Sequence, residues 1–191
     1  MLFRSDTLQA LTEADVALLV ERIGLEAVID LSVGPEAVEQ GRGPLVTRDV
    51  TYLNAPLRKA EPNDEPPARQ ALWFSLQHLG APTSVLGGVR AAAAFAGLPT
   101  VVHCAAGKDR TGLVVALLLA LAGVERDAIG ADYLPSGPHM EAVMMRFATW
   151  PRYRAHMATV APQDVHGPRV DGAWRARRAR RTVRRCAGSG R

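Results

Sequence analysis

Thiols are nearly absent from this chain: of 191 residues only Cys104 and Cys186 are cysteine. Two cysteines make no disulfide scaffold, and these two lack the spacing of a zinc site. A reducing, cytoplasmic setting is therefore expected. Lysine is equally scarce, occurring only at Lys59 and Lys108, and arginine supplies the rest of the positive charge. Long apolar runs are missing too. The longest, Leu113 to Val124 with one glycine near its end, is too short for a membrane span and suits a buried core helix. The opening residues, MLFRSDTLQALTEAD, carry acids early and lack the basic-then-apolar layout of a secretory signal. No internal repeat is visible.

The formal net charge of +4 averages two unlike regions. Residues 169–191 hold nine arginines against one acid, Asp171, while residues 1–168 hold 14 basic and 18 acidic residues, a net charge of −4. A mildly acidic body does not suggest a nucleic-acid partner. The composition breaks near His166, abruptly enough to suggest a shifted reading frame. The chain thus divides into a folded domain over residues 1–165 and a basic, disordered tail over 166–191 that could contact anionic surfaces.

Within the body, Thr12 with Glu13 and Asp15 predicts a helix cap, followed by apolar positions at helical spacing (Val16, Leu18, Leu19, Ile23) and a stop at Gly24. "LEAVIDLS", "VTYLNAPL" and "LPTVVHC" predict three strands. "GPEAVEQGRGPL" is turn-rich, with a short helical turn at its centre, and residues 60–67 form an acidic, proline-rich surface loop. "ARQALWFSLQHLG", "VLGGVRAAAAFAG", "TGLVVALLLALAG", "ERDAIGADYLPS" and "PHMEAVMMRFATW" predict helices, the second weakened at its start by Gly87-Gly88. Met140, Met144 and Met145, with Val143, read as a packing face or a lid helix. The alternation predicts an α/β fold, a mostly parallel central sheet flanked by helices.

The joint between the third strand and its helix, "HCAAGKDRTG" from His103 to Gly112, is where polar groups crowd an otherwise apolar context. The first amides of a helix have no partners inside it, and with the helix dipole they favour an anion, phosphate above all. Ala105, Ala106, Gly107 and Lys108 supply such a loop, Gly107 letting the backbone curl without a side chain in the way. Arg110 offers a planar fork for two phosphate oxygens. The compact charge of Lys108 suits a further phosphate group. A thiol beside cations at a helix N-terminus falls from a pKa of about 8.5 to roughly 3.5–7.5. Cys104 is thus expected to be a thiolate nucleophile aimed at phosphorus, Thr111 to donate its hydroxyl proton to the sulfur, and His103 to shape the loop through hydrogen bonds. A Walker-type loop is excluded, because its lysine is followed directly by Ser or Thr rather than by Asp-Arg.

This loop resembles the Cys-x5-Arg signature of the cysteine-dependent phosphatases. With Lys-Asp before the arginine, it is similar to a family of bacterial tyrosine and lipid phosphatases. Further matches are "LFRSDTLQALTEAD", in which Arg4-Ser5 falls at a family position near the pocket, "AVIDLS" and "IGADYLPS", so the resemblance covers about residues 2–165 with gaps. It implies a phosphatase-type α/β fold and hydrolysis of phosphotyrosine in proteins, sometimes phosphoserine or phosphothreonine, and of phosphoinositides, through a phosphocysteine and without metal or other cofactor. The Trp-Pro-Asp motif that carries the general acid in many phosphatases is missing; "TWPRY" at 149–153 has arginine in its place. Asp109, which the resemblance implicates in proton transfer to the leaving oxygen, is the preferred acid, and Asp64 in the proline-rich loop is the other candidate. Asp30 reads as turn chemistry at a strand end. The competing expectation is a phosphate-binding module that keeps the loop and has no turnover. Arsenate reduction, which needs resolving cysteines, fits less well, since Cys186 is the only other thiol.

Overall fold

The structure, a computed structural model, describes residues 1–58, 67–80, 82–151 and 153–154. Asp64 and its loop, Cys186 and the basic tail lie outside the described residues.

Four short parallel strands form the centre: β1 (Leu2–Ser5), β2 (Ala27–Asp30), β3 (Thr51–Asn54) and β4 (Thr100–His103), in the order β1-β4-β2-β3. β2 and β4 are buried along their whole length, as inner strands of a parallel sheet covered on both faces must be. Neighbours in register alternate between faces. Val28 and Val101, paired across β2 and β4, enter one core with Leu8, Val16, Leu25, Leu45 and Val50. Ile29 and Val102, the next pair, enter the other with Leu31, Leu57, Val85, Val89, Val114 and Cys104. The reactive cysteine candidate is therefore rooted in the main core.

Among the described residues, seven α-helices surround the sheet. α1 (Glu13–Val16) starts where the sequence predicts: Thr12 accepts from the Asp15 amide at 3.2 Å, and the Asp15 carboxylate accepts from the Thr12 amide at 2.8 Å. A π-helical stretch, Ala17–Arg22, continues it. α2 (Gly34–Gln40) is a full helix where only a helical turn is expected; Pro35 sits in its first turn, which suits a residue with a fixed φ and no N–H to satisfy. A 3-10 segment, Gly43–Thr47, leads to β3. α3 (Pro67–Gly80) and α4 (Pro82–Ala94) precede β4, and α5 (Asp109–Leu121), α6 (Arg126–Tyr133) and α7 (Ser136–Thr149) follow it.

The structure corrects three expectations. The N-terminal residues form a fourth strand, β1, whose four residues are too few to show a period and whose neighbour in the sheet is β4. Gly88 helps α4 rather than weakening it: a Cβ there would sit 3.1–3.2 Å from Leu57, Leu31 and Val114, so its absence lets the helix approach the sheet. The apolar run in α5 is buried only in its first half, through Val115, while Leu121 is 76% exposed at the far end. Of the methionine face on α7, Met140 and Val143 are buried and Met145 points outward. Among the described residues, no helix is long and apolar enough to cross a membrane.

The two-sided core makes a direct prediction. Ile29 has no exposure and lies at the middle of β2. Ile29→Ala is expected to lower stability by about 2–5 kcal/mol, read as a lower urea midpoint at unchanged slope.

Candidate active site

β4 ends at His103, and Cys104 opens a turn that becomes α5 at Asp109. Four carbonyls at and beside this turn are occupied. His103 O accepts from the Leu31 amide at 2.8 Å, Ala105 O from the Thr7 amide at 3.2 Å, Gly107 O from Arg4 Nη2 at 3.1 Å, and Lys108 O from the Gly112 amide at 2.8 Å. The amides from Ala105 to Arg110, in contrast, donate to no protein acceptor among the described residues. A run of free N–H groups at the start of a 13-residue helix is an anion-binding arrangement.

Gly107 makes the turn possible. Its φ is +63°, and a Cβ there would lie 2.4 Å from Ser5 O and 2.5 Å from the Asp6 amide nitrogen. No L side chain fits against the end of β1 at that spot. Gly112, inside α5, serves close packing as well, since a Cβ there would strike the ring of Tyr133 at 2.7 Å.

Cys104 is 2% exposed, and Thr111 Oγ1 donates to its sulfur at 3.2 Å. Arg110 turns onto α2, where Nη1 lies 2.5 Å from Glu36 Oε2 and Nη2 lies 3.4 Å from Oε1. Burial would drive the guanidinium towards neutrality, but the facing Cys104 sulfur and the Glu36 carboxylate more than offset it and raise its pKa, so the charge is permanent. Glu36 is buried as well. Burial opposes its ionisation, yet the hydrogen bond and charge of Arg110, with the Val33 amide and the Tyr153 hydroxyl, hold its carboxyl below the ordinary value of 4.5.

The other residues singled out in the sequence fall as follows. Lys108 is the half-buried residue preceding α5. Asp109 is the first residue of α5, and burial together with its charge drives the pKa of the Tyr133 hydroxyl up. His103 is buried, its Nε2 lies 3.9 Å from Asp30 Oδ1, and its Nδ1 has no partner among the described residues. Burial pushes its pKa down against the opposing Asp30 charge and the Cys104 backbone, which keeps the ring neutral at pH 7. Asp30 does serve the turn: Oδ1 accepts from the Ser32 amide at 2.8 Å and Oδ2 from Tyr52 at 2.6 Å.

Two partners escape a reading of the sequence. Glu36 stands 74 residues before Arg110, and its only local signal is a Pro-Glu helix start. Tyr153 lies just past α7, stacks on Phe147 at 4.3 Å between ring centroids, and reaches Glu36 Oε1 at 3.1 Å. Its segment packs with Trp150, Met140 and Val143 against Ala105 and Ala106 of the turn. On the same side Arg146 pairs with Asp6.

The tyrosine phosphatase family model matches residues 1–182 of this chain. The chain belongs to the tyrosine phosphatase family. It is 51% identical over 53 residues to the triple specificity protein phosphatase PtpB of Mycobacterium tuberculosis, a match covering 28% of this chain and 19% of that protein. It is 62% identical over 34 residues to a protein of Cupriavidus necator that carries the provisional name of a tyrosine-protein phosphatase, covering 18% and 12%. The matched stretches thus span about a fifth or less of these relatives' lengths. Family membership agrees with the α/β parallel-sheet architecture.

The Arg110–Glu36 pair sets a pH dependence. Because the folded Glu36 carboxyl titrates below the unfolded one, the unfolded chain takes up the proton first. The pair's stabilisation is full above about pH 4.5 and is lost as pH falls through the folded value. Glu36→Gln is expected to destabilise the neutral-pH protein by about 3–5 kcal/mol by leaving Arg110 buried without its counter-charge. Urea melts between pH 3 and 7 should show a shallower acid slope for the variant.

Proposed function

We propose that the chain is a phosphomonoesterase that works through a phosphocysteine, acting on phosphotyrosine in proteins or on phosphoinositides. The observation that carries this reading is the row of unpartnered amides following Cys104, closed by an arginine whose charge is permanent. That arrangement suits the three equatorial oxygens of a phosphoryl group in flight better than any neutral ligand. The broad specificity in the name of the mycobacterial relative supports a substrate range beyond phosphotyrosine. A cytoplasmic setting, where the thiol stays reduced, goes with the chemistry.

In the first step the sulfur of Cys104, as thiolate, attacks phosphorus. The S–P bond forms as the P–O bond to the leaving group breaks, and Asp109 passes its proton to the departing oxygen. Arg110 and the loop amides hold the phosphoryl oxygens. In the second step water attacks phosphorus, the S–P bond breaks, the proton of the water returns to Asp109, and the Thr111 hydroxyl hydrogen-bonds the sulfur that leaves with the electron pair. Inorganic phosphate is released.

Hydrolysis of p-nitrophenyl phosphate in the presence of EDTA tests the reading. The wild type is expected to turn over and Cys104→Ser to be inactive. Thr111→Ala is expected to slow kcat about 10- to 100-fold, the worth of a hydrogen bond to a charged group, with a burst of nitrophenolate as the phosphocysteine accumulates. Phosphate binding by the wild type with no turnover of this activated ester would instead assign the chain as a binding module.

A further inference from the structure

Arg4 lies on β1, some hundred residues before the signature turn, yet its guanidinium reaches that turn and two later elements at once. Nη2 donates to Gly107 O at 3.1 Å and to Ser136 Oγ at 3.0 Å. Nη1 donates to Asp132 Oδ2 at 2.9 Å, with the Asp132 carbonyl at 3.4 Å. The guanidinium carbon stands 5.7 Å from the ring centroid of Tyr133, within cation–π range. Arg4 is only 18% exposed, so its contacts are made in a partly desolvated place. β1 supplies the rigid base, because Arg4 is in register with Val102 of β4, two residues before Cys104.

We propose that Arg4 is a positioning residue for the oxyanion cradle: by holding the Gly107 carbonyl outward it keeps the following amide, that of Lys108, turned inward. The reason is the planarity of the peptide unit. In a trans peptide the carbonyl and the next N–H point in opposite directions, so a bond that fixes one fixes the other. Gly107 is the residue of the turn with the widest conformational freedom and a positive φ, hence the one where a peptide flip is easiest. A flipped Gly107–Lys108 unit would present a carbonyl oxygen to the bound anion in place of a donor. Asp132 and Ser136 hold the arginine itself, and the ring of Tyr133 lies under it. The segments "LFRS" and "ADYLPS" therefore meet on one turn and act on it without touching the substrate.

The inference rests on the proposed reading of the turn as an oxyanion site, and one set of measurements separates the two. Inorganic phosphate is tested as a competitive inhibitor of p-nitrophenyl phosphate hydrolysis and, by calorimetry, as a ligand of Cys104→Ser. If neither protein binds phosphate, the oxyanion reading falls and the role of Arg4 with it. If both bind, Arg4→Gln is expected to raise the phosphate inhibition constant and KM together by about 10- to 100-fold, so that kcat/KM falls by at least as much. Arg4→Lys, which keeps a charged donor, should recover some of the loss. Unchanged KM and phosphate affinity in Arg4→Gln overturns the proposal, and so does a fall in kcat at constant KM. Should Arg4→Gln fail to fold, Asp132→Asn loosens the arginine from a side chain that is 41% exposed. That variant is expected to raise both constants by about 2- to 10-fold, and constants equal to wild type would again overturn the proposal.

Discussion

A guanidinium that cannot lose its proton is buried at the first turn of α5, and much of the candidate site is arranged around that fact. A buried charge with no counter-charge would cost several kcal/mol, so Arg110 requires Glu36. Glu36 in turn requires α2 to start where it does, with the Val33 amide and the Tyr153 hydroxyl completing its hydrogen bonds. The pair orients the arginine before any ligand arrives. For the phosphate site proposed above, preorganisation of this kind means that the ligand would meet a charge already desolvated and aimed, rather than one that must first be stripped of water. The same burial that makes the charge costly makes it effective.

The turn between β4 and α5 is governed by a second constraint, that every peptide unit has two ends. The carbonyls of His103, Ala105, Gly107 and Lys108 are bound by neighbours from β1 and the residues after it, from the chain after β2 and from α5 itself, while the amides from Ala105 to Arg110 stay unspent. A helix N-terminus alone would provide a few such groups. The extension back to Ala105 depends on tertiary contacts, chiefly those of the Ser5–Thr7 stretch pressed against Gly107 and Ala105. Packing from the other side, by Met140, Val143 and Phe147 of α7, closes the turn between two layers.

How much of this was legible in the sequence follows from range. Cys104, Gly107, Arg110 and Thr111 sit within eight residues, and a strand-turn-helix has few ways to place them, so their grouping could be read locally. β2 and β4 announced themselves because buried parallel strands are short apolar runs bounded by turns, and β3, an edge strand, through its alternation. β1, the other edge strand, did not, since its four residues show neither an apolar run nor a period. Nor could Glu36 and Tyr153 be linked to Arg110, because no period or spacing ties a helix start to an arginine 74 residues on. Arg4 was noticeable as a matched position, but its destination at Gly107 depends on the register of β1 against β4.

The topology has one more consequence, for how the chain comes to be folded. Among the described residues β1 has a single neighbour in the sheet, and that neighbour begins 98 residues after it, at Thr100. During synthesis at about 5–20 residues per second, the first strand must therefore wait on the order of 5–20 s before the segment it pairs with has been made. β2 and β3, adjacent in space and joined through α2, are much closer along the chain and can pair early. The central strand enters last of the four, between two elements already formed, and a late insertion of that kind slows closure of the sheet. Residues that meet at the turn after β4 are thus brought together in the final stage of folding, and a nascent chain stalled before Thr100 would expose an unpaired β2 edge to its neighbours.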